Sequence, residues 1–285
     1  MERQTGTAAD APFNPVARDC ETTGCLPEHQ MMGGNAWMPE LLQDPAWRFS
    51  AEQDAAHLDA AAARARSMLR RAATLTVTLA TEGPAPRAVV RVTNESGHKL
   101  PTGYPEGRQM WLELRAYHAT GAELYASGRL DPASQRLVRD PAIKVYEAKQ
   151  GLTPDWAAYL GKPPGESFHF LLNNTVIKDN RIPPRGYVRA TWDQPGLRPV
   201  GADYADGQHW DETAYDLPAG TTRVVARLWY QTASAEYIDF LKATGGVDGA
   251  ALYDLWERNP SPPVLMATAA DPSYRFWLPL ILRTR

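Results

Sequence analysis

The chain has 285 residues, a formal net charge of −3 and a pI of about 6.1, with 44% hydrophobic and 22% charged residues. These values are typical of a globular protein with one large or two small domains. They do not favour nucleic-acid binding, which usually requires a clustered basic face. The apolar stretch from Phe276 to Leu282 is interrupted by Pro279 and is far shorter than the roughly 20 residues of a membrane-spanning helix.

Residues 1–50 are predicted to form an irregular arm, because prolines and the Gly33-Gly34 pair favour loops. The arm contains both cysteines of the chain, Cys20 and Cys25. A disulfide between them would close a short loop and would persist only in an oxidising compartment. Two alternatives remain open: free thiols, and a soft-metal site of Cys20, Cys25, His29 and Met31 or Met32 that would suit copper.

Residues 51–73 are predicted to form a helix. Ser50 and Gln53 have the spacing of a capping box at its start, and the following residues are mainly alanine and other strong helix formers. Its apolar side chains fall near one face, so we expect the helix to pack on the domain that follows.

From residue 74 onward the sequence alternates between polar and apolar residues, which is typical of half-buried strands. Many short strands with turn residues between them predict a mainly-β fold, an antiparallel β-sandwich of the Ig-like or cupredoxin-like kind over residues 74–285. The predicted strands are residues 74–80, 88–93, 110–117, 123–126, 143–148, 167–172, 187–192 and 223–230. Two short helices are predicted at about 235–243 and 249–257.

Three stretches of this region carry distinctive motifs. The first reads GHKLPTGYPEGR from Gly97 to Arg108, the second reads KDNRIPPRG from Lys178 to Gly186, and the third runs from Leu228 to Leu241. Together they resemble the C-terminal β-rich region of secreted multihaem c-type cytochromes. Such proteins attach haem through C-x-x-C-H segments, and this sequence contains none.

The resemblance extends from about Gly33 to Met266 and implies an extracytoplasmic setting, in the periplasm or at the cell surface. The first residues, MERQTGTAAD, lack the apolar core of a signal peptide. Either the chain stays in the cytoplasm or its natural start lies elsewhere, and the resemblance favours the second alternative.

The resemblance also implies that His98, in a loop made rigid by glycines and prolines, lies against haem, since neutral imidazole is a common haem ligand. With no covalent haem here, that haem would belong to a partner chain. The alternative is that His98, Glu106 and Arg108 only hydrogen-bond the loop together. His169 lies between two phenylalanines in a predicted strand, so it would point away from both, to solvent or to a partner's haem.

Asp179 and Asn180 lie in the second stretch, before a pair of prolines. We expect their side chains to fix nearby backbone groups. Calcium coordination is the alternative, because hard cations bind carboxylate and amide oxygens.

An acidic segment between Gly201 and Pro218 is predicted to be a solvated surface loop. Cation binding and glycoside hydrolysis by paired carboxylates are its alternatives. Its chemistry-bearing residues are Asp203, Asp206, His209, Trp210, Asp211 and Glu212. The sequence contains no nucleophile elbow, zinc helix, P-loop or dinucleotide fingerprint, so an enzyme is not favoured.

These observations predict a non-catalytic accessory or scaffold subunit of an extracytoplasmic electron-transfer complex. Its partners would be multihaem c-type cytochrome chains. His98 would be supplied to a partner's haem, or, in the alternative, would have only a structural role. The alternative is an independent β-sandwich module that binds carbohydrate or a surface polymer through exposed tryptophans such as Trp192 and Trp210. A hydrolase or a copper protein is a weaker third hypothesis.

Overall fold

The structure is a computed structural model that describes residues 3–10, 14–18, 20–21, 26–27, 33–45, 54–82, 85–103, 107–194 and 196–271. The strands are β1 (Arg3–Gln4), β2 (Gly6–Asp10), β3 (Asn14–Arg18), β4 (Leu26–Pro27), β5 (Ala73–Ala80), β6 (Arg87–Asn94), β7 (Gln109–His118), β8 (Glu123–Ser127), β9 (Val145–Tyr146), β10 (Ala148–Leu152), β11 (Gly165–Glu166), β12 (Thr175–Asp179), β13 (Trp210–Asp216), β14 (Thr221–Gln231) and β15 (Val264–Asp271). The helices are α1 (Trp37–Leu41), α2 (Ala55–Arg71), α3 (Pro154–Leu160), α4 (Arg189–Trp192), α5 (Ala235–Thr244) and α6 (Gly246–Arg258).

The centre of the fold is an antiparallel β-sandwich, which confirms the predicted fold class. One sheet has the strand order β13-β6-β5, and the other has the order β15-β14-β7-β8, with β9 paired to β7. The core lies between them and includes Val90 and Val92 of β6, Leu112 and Leu114 of β7, and Leu228 of β14. These residues alternate with less buried ones in β6, as the sequence pattern predicts.

Strand β7 is buried along most of its length because both of its faces are covered. Its second face includes Trp111, which packs with Leu137 and Val145 from the connection that follows β8. The indole N–H of Trp111 donates a hydrogen bond of 3.0 Å to the carbonyl oxygen of Gly128. This explains why the alternation of β7 is preceded by three consecutive apolar residues, Met110, Trp111 and Leu112.

Helix α2 packs on the sandwich through Ala65 and Leu69. It begins at Ala55, later than the capping-box pattern predicts, and its N-cap is Asp54. The Asp54 carboxylate accepts a hydrogen bond of 2.8 Å from the backbone N–H of Ala56. Aspartate caps a helix about as well as serine does, so Asp54 can replace the predicted cap Ser50 and place the helix start four residues later.

The two predicted C-terminal helices are confirmed as α5 and α6. Ser234 caps α5 by accepting a hydrogen bond from the backbone N–H of Tyr237. With α1 the two helices enclose a second apolar cluster that includes Trp37, Ile238 and Leu255. Within residues 1–50, the described parts also form two small antiparallel pairs, β1 with β4 and β2 with β3.

Three secondary-structure predictions were wrong. Residues 167–172 form turns rather than a strand, because the Ser167 hydroxyl and the Asn173 amide bond to the local backbone and compete with a strand ladder. Residues 187–192 contain the short helix α4. The acidic segment is not wholly a loop, since its residues 210–216 form β13, which pairs with β6 over its full length.

The predicted strand at 143–148 is divided in two. Its first part, β9, pairs with β7 of the sandwich, whereas β10 belongs to a separate three-stranded sheet with β11 and β12. Among the described helices, none combines the length and the apolar character needed to cross a lipid bilayer.

Candidate functional site

The two loop motifs, far apart in sequence, are in direct contact. Leu100 and Ile182 form an antiparallel bridge through two backbone hydrogen bonds of 2.9 Å. Beside this bridge, the fully buried amide of Asn94 donates to the carbonyl oxygens of His98, Ile182 and Pro183, at 2.7, 2.9 and 3.0 Å. Asn94 is the last residue of β6, so the sandwich itself positions both motifs.

The two motifs are also joined by a buried ion cluster, which consists of Lys99, Asp179 and Arg181. Lys99 of the first motif donates from Nζ to Asp179 Oδ2 at 2.7 Å, and the side chains of the pair are 7% and 2% exposed. Arg181 donates to both carboxylate oxygens of Asp179, from Nε and from a terminal guanidinium nitrogen, at 2.8 Å each. A buried charge is tolerated only when it is paired and hydrogen-bonded in this way.

The pKa values of Lys99 and Asp179 reflect the opposing effects of burial and of ion pairing. Burial lowers the pKa of Lys99, although its hydrogen bond to Asp179 opposes that shift. Burial acts to raise the pKa of Asp179, but the hydrogen bonds and positive charges of Arg181 and Lys99 outweigh it, so the pKa of Asp179 is lowered. Lys99 also lies over the ring of Trp192, with Nζ 5.5 Å from the ring centre.

The side-chain amide of Asn180 bonds to the backbone through both its oxygen and its nitrogen. Its Oδ1 accepts from the backbone N–H of Glu147 at 2.9 Å, and its Nδ2 donates to the carbonyl oxygen of Val145 at 2.8 Å. These contacts, with those of Asp179, agree with the structural role expected for the pair. Calcium binding at this position would first require Lys99 and Arg181 to move away from the carboxylate, and it stays a prediction.

The third stretch contacts the end of the first stretch and the start of β7. Gln109 donates from Nε2 to Gln231 Oε1 at 2.7 Å, and Gln231 donates onward to the carbonyl oxygen of Ser261 at 2.8 Å. The backbone N–H of Ser234 donates to the carbonyl oxygen of Gly107 at 2.8 Å. We call the region in which residues 94–103, 107–109, 179–183 and 231–237 meet the motif junction.

Gly107 shows how tightly the motif junction is packed. It has a φ of +73°, and a Cβ atom placed on it would lie 2.5 Å from ring atoms of Tyr237. Glycine is therefore required both for the backbone angle and for the space. Next to it, Arg108 donates to the carbonyl oxygen of Thr102 at 2.8 Å, which holds the loop on itself. Glu106, expected to assist Arg108, lies outside the described residues.

His98 is exposed at the edge of the motif junction. Its carbonyl oxygen is held by Asn94 and by the hydroxyl of Ser96, at 2.7 and 3.0 Å. Within the described ranges its imidazole ring makes no hydrogen bond, so the loop fixes the backbone of His98 and leaves the ring to solvent.

His169 is half-buried, and its ring meets the ring of Phe240 edge-on at 4.8 Å. Phe168 also contacts Phe240, at 5.4 Å, and Tyr237, at 5.3 Å. The prediction that His169 points away from both neighbouring phenylalanines was therefore wrong for Phe168, because the backbone turns here instead of extending. His169 belongs to an aromatic cluster that borders the motif junction through Tyr237.

The acidic segment does not gather its carboxylates. Asp211 accepts from the hydroxyl of Tyr146 and from Lys144, each at 2.9 Å, whereas Glu212 pairs with Arg91 at 2.7 Å. Neighbouring residues of a strand point to opposite faces, so these two carboxylates serve different contacts. No three His, Cys, Asp or Glu side chains in the described parts of the chain are grouped as a metal site.

The tryptophans expected to bind carbohydrate are half-buried, and each has a cation over its ring. Lys99 lies over Trp192, and Arg91 lies over Trp210 at 5.2 Å. Cys25 and His29 lie outside the described residues, so the disulfide with Cys20 and the soft-metal alternative both stay predictions.

No model of a protein family matches this chain, and no curated protein matches it either. Among solved structures, it is similar to the crystal structure of a penta-heme cytochrome c552 from Thermochromatium tepidum, with 20% sequence identity and a TM-score of 0.44. The similarity covers 73% of this chain and 41% of that protein's chain. The likeness is too distant to transfer that protein's function to this chain.

Sequence reasoning missed Lys99 and Asn94, the two side chains that join the motifs. Lys99 stands next to a leucine and a proline in a loop, and Asp179 ends a strand about 80 positions later. The only signal in the sequence was that two glycine- and proline-rich loops carry opposite charges. Such a signal does not show which lysine pairs with which aspartate.

Proposed function

We propose that this chain is a non-catalytic accessory or scaffold subunit of an extracytoplasmic multihaem cytochrome assembly. The observation that carries the proposal is the motif junction. The three stretches that resemble these cytochromes are distant in sequence, yet the first bonds to the second and to the third, so they form one continuous structural unit.

The contacts inside the motif junction divide its residues into two groups. The amides and charges of Asn94, Lys99 and Asp179 are used in bonds that hold the loops. The ring of His98 is not used in this way among the described residues, so it is the group that the junction presents to a partner. His169, at the border of the junction, adds a second imidazole within an aromatic surface.

These residues fit contact with a haem group held by another chain. An exposed neutral imidazole is a suitable axial ligand, and aromatic side chains suit the apolar face of a porphyrin. The haem would supply the electron-transfer chemistry, whereas this chain would supply a rigid surface and an imidazole. This assignment explains why the haem-surrounding motifs occur in a chain without a C-x-x-C-H segment.

The test is purification of the affinity-tagged chain from the periplasmic and membrane fractions of its native source, followed by a pyridine haemochrome assay. We expect a c-type haem protein to accompany the chain. The variant His98→Ala should retain less haem absorbance, and His57→Ala is the matched control because its side chain is 87% exposed on α2. Purification without any haem protein would refute the proposal, and equal retention by the two variants would refute the role of His98.

A further inference from the structure

A cleft lies between the turn at residues 131–136 and the helices α5 and α6, and its volume is about 490 Å³. A different cleft lies beside Arg108 and Glu147 at the motif junction, and the two share no lining residue. Small-molecule sites commonly have volumes of roughly 300–1,000 Å³. The lining includes Gln135, Arg136, Asp239, Tyr253, Trp256 and Glu257.

The turn that forms one wall is held in a fixed shape. The Asp131 carboxylate accepts from the backbone N–H of Ala133 at 3.0 Å and from the hydroxyl of Ser134 at 2.7 Å. Gln135 has a φ of +55°, and it is the only non-glycine residue with a positive φ in the described part of the chain. Such conformations persist only where the surroundings impose them, and they are concentrated at functional sites.

The opposite wall is aromatic. The rings of Tyr253 and Trp256, on α6, have centroids 6.0 Å apart. One face of Tyr253 is covered by Lys242, whose Nζ lies 3.3 Å from the ring centre. Trp256 is 8% exposed, and its indole N–H has no hydrogen-bond partner among the described residues. Buried donors are normally paired, so the floor of this cleft differs from an ordinary packed interior.

Charged groups at the cleft balance one another. Arg136 forms a hydrogen-bonded ion pair with Asp239. The carboxylate of Glu257 beside the hydroxyl of Tyr253 raises the pKa of Tyr253. Lys242 adds a positive charge beside Tyr253 that offsets Glu257. The cleft therefore offers many hydrogen-bonding groups but little net charge, which favours a neutral ligand over an anion or a cation.

We propose that this cleft binds a neutral saccharide. Carboxylate, guanidinium and amide groups donate to or accept from vicinal hydroxyls, and aromatic rings pack against the C–H faces of a pyranose ring. The fixed turn and the helix wall hold both kinds of group in place before a ligand arrives, which lowers the entropic cost of binding. The proposal is independent of the accessory role, because no residue of the motif junction takes part.

The test has two steps. The purified chain is first applied to an array of neutral and acidic glycans, and the best neutral glycan is then titrated by saturation-transfer NMR. The variants Tyr253→Ala and Glu257→Gln remove the aromatic wall and one carboxylate charge. Tyr159→Ala and Glu212→Gln are the matched controls, since Tyr159 is 79% exposed on α3 and Glu212 pairs with Arg91 on the sandwich.

We expect a neutral glycan to bind, and each cleft variant to weaken it about tenfold while both controls bind like the wild type. Thermal denaturation of every variant shows that a loss of binding is not a loss of fold. Glu257→Gln keeps the test valid if Tyr253→Ala unfolds. The proposal is overturned if no neutral glycan binds, if only acidic glycans bind, or if Glu257→Gln binds as tightly as the wild type.

Discussion

Replacement of Asp179 by asparagine should strongly destabilise the fold. The carboxylate accepts hydrogen bonds from Lys99 at 2.7 Å and from two nitrogens of Arg181 at 2.8 Å, and its side chain is 2% exposed. An asparagine side chain keeps one acceptor, but it places an N–H₂ group against one of the two cations. Removing one partner of a buried ion pair costs about 3–5 kcal/mol, because the remaining charge is left buried and uncompensated.

Urea unfolding, followed by tryptophan fluorescence, measures this loss directly. With an m value of about 3 kcal/mol/M, the midpoint should fall by about 1–1.7 M. Glu212→Gln is the matched control, because the Arg91–Glu212 pair has the same chemistry with side chains 46% and 47% exposed. Exposed pairs contribute about 0–1 kcal/mol, so the control should change the midpoint little.

A second substitution distinguishes the cost of leaving Lys99 without its negatively charged partner from the cost of the lost hydrogen bonds. In the Asp179→Asn background, Lys99→Met removes a cation that has lost its negatively charged partner, so it should recover part of the lost stability. The reasoning would be refuted if Asp179→Asn destabilised no more than Glu212→Gln, or if adding Lys99→Met made the loss larger by the full cost of a second independent mutation.

Three further outcomes are expected. Because the pKa of Asp179 is lowered in the folded state, its contribution is complete above its ordinary value of 3.8 and is lost as the pH falls below that value towards the folded pKa. Acid titration of the unfolding free energy should therefore show a shallower fall for Asp179→Asn than for the wild type. Gly107→Ala should cost about 1–3 kcal/mol by thermal denaturation. Gly121→Ala should cost less, since its φ of +87° is similar but no atom lies within 4 Å of an added Cβ. His98→Ala should change stability by less than about 0.5 kcal/mol, because the side chain is exposed. A larger loss would mean that the ring is structural.

The sandwich could be predicted from the sequence because its strands depend on local patterns. Val90 and Val92 alternate with Arg91 in β6, and Leu112, Leu114 and Ala116 alternate with Glu113 and Arg115 in β7. Strand β13 could not be predicted in the same way. Its residues Asp211 and Glu212 are acidic, and they are accommodated in a strand by cations from other parts of the chain, Lys144 and Arg91.

For the candidate site, the motifs predict that His98 lies in a loop against a partner's haem. The structure shows that its side chain is exposed at the edge of the motif junction, and its contact with haem stays a prediction. The interior of the motif junction could not be predicted, because Lys99 and Asp179 meet only after the sandwich has brought two distant loops together. The orientation of His169 was missed because hydrogen bonds of Ser167 and Asn173 with the backbone replace a strand by turns.

The pairing of β7 with β14 has a consequence for how the chain reaches its native state. These strands are in register from Gln109 opposite Gln231 to His118 opposite Thr221, so the two central strands of the larger sheet come from segments more than 100 positions apart for most of their length. Such distant pairings carry a large loop-closure entropy and fold slowly. The larger sheet therefore cannot close on a ribosome until most of the chain has emerged, and β7 must keep an apolar edge unpaired until then. We expect the newly made chain to depend on chaperones during that interval, when an uncovered apolar strand favours aggregation.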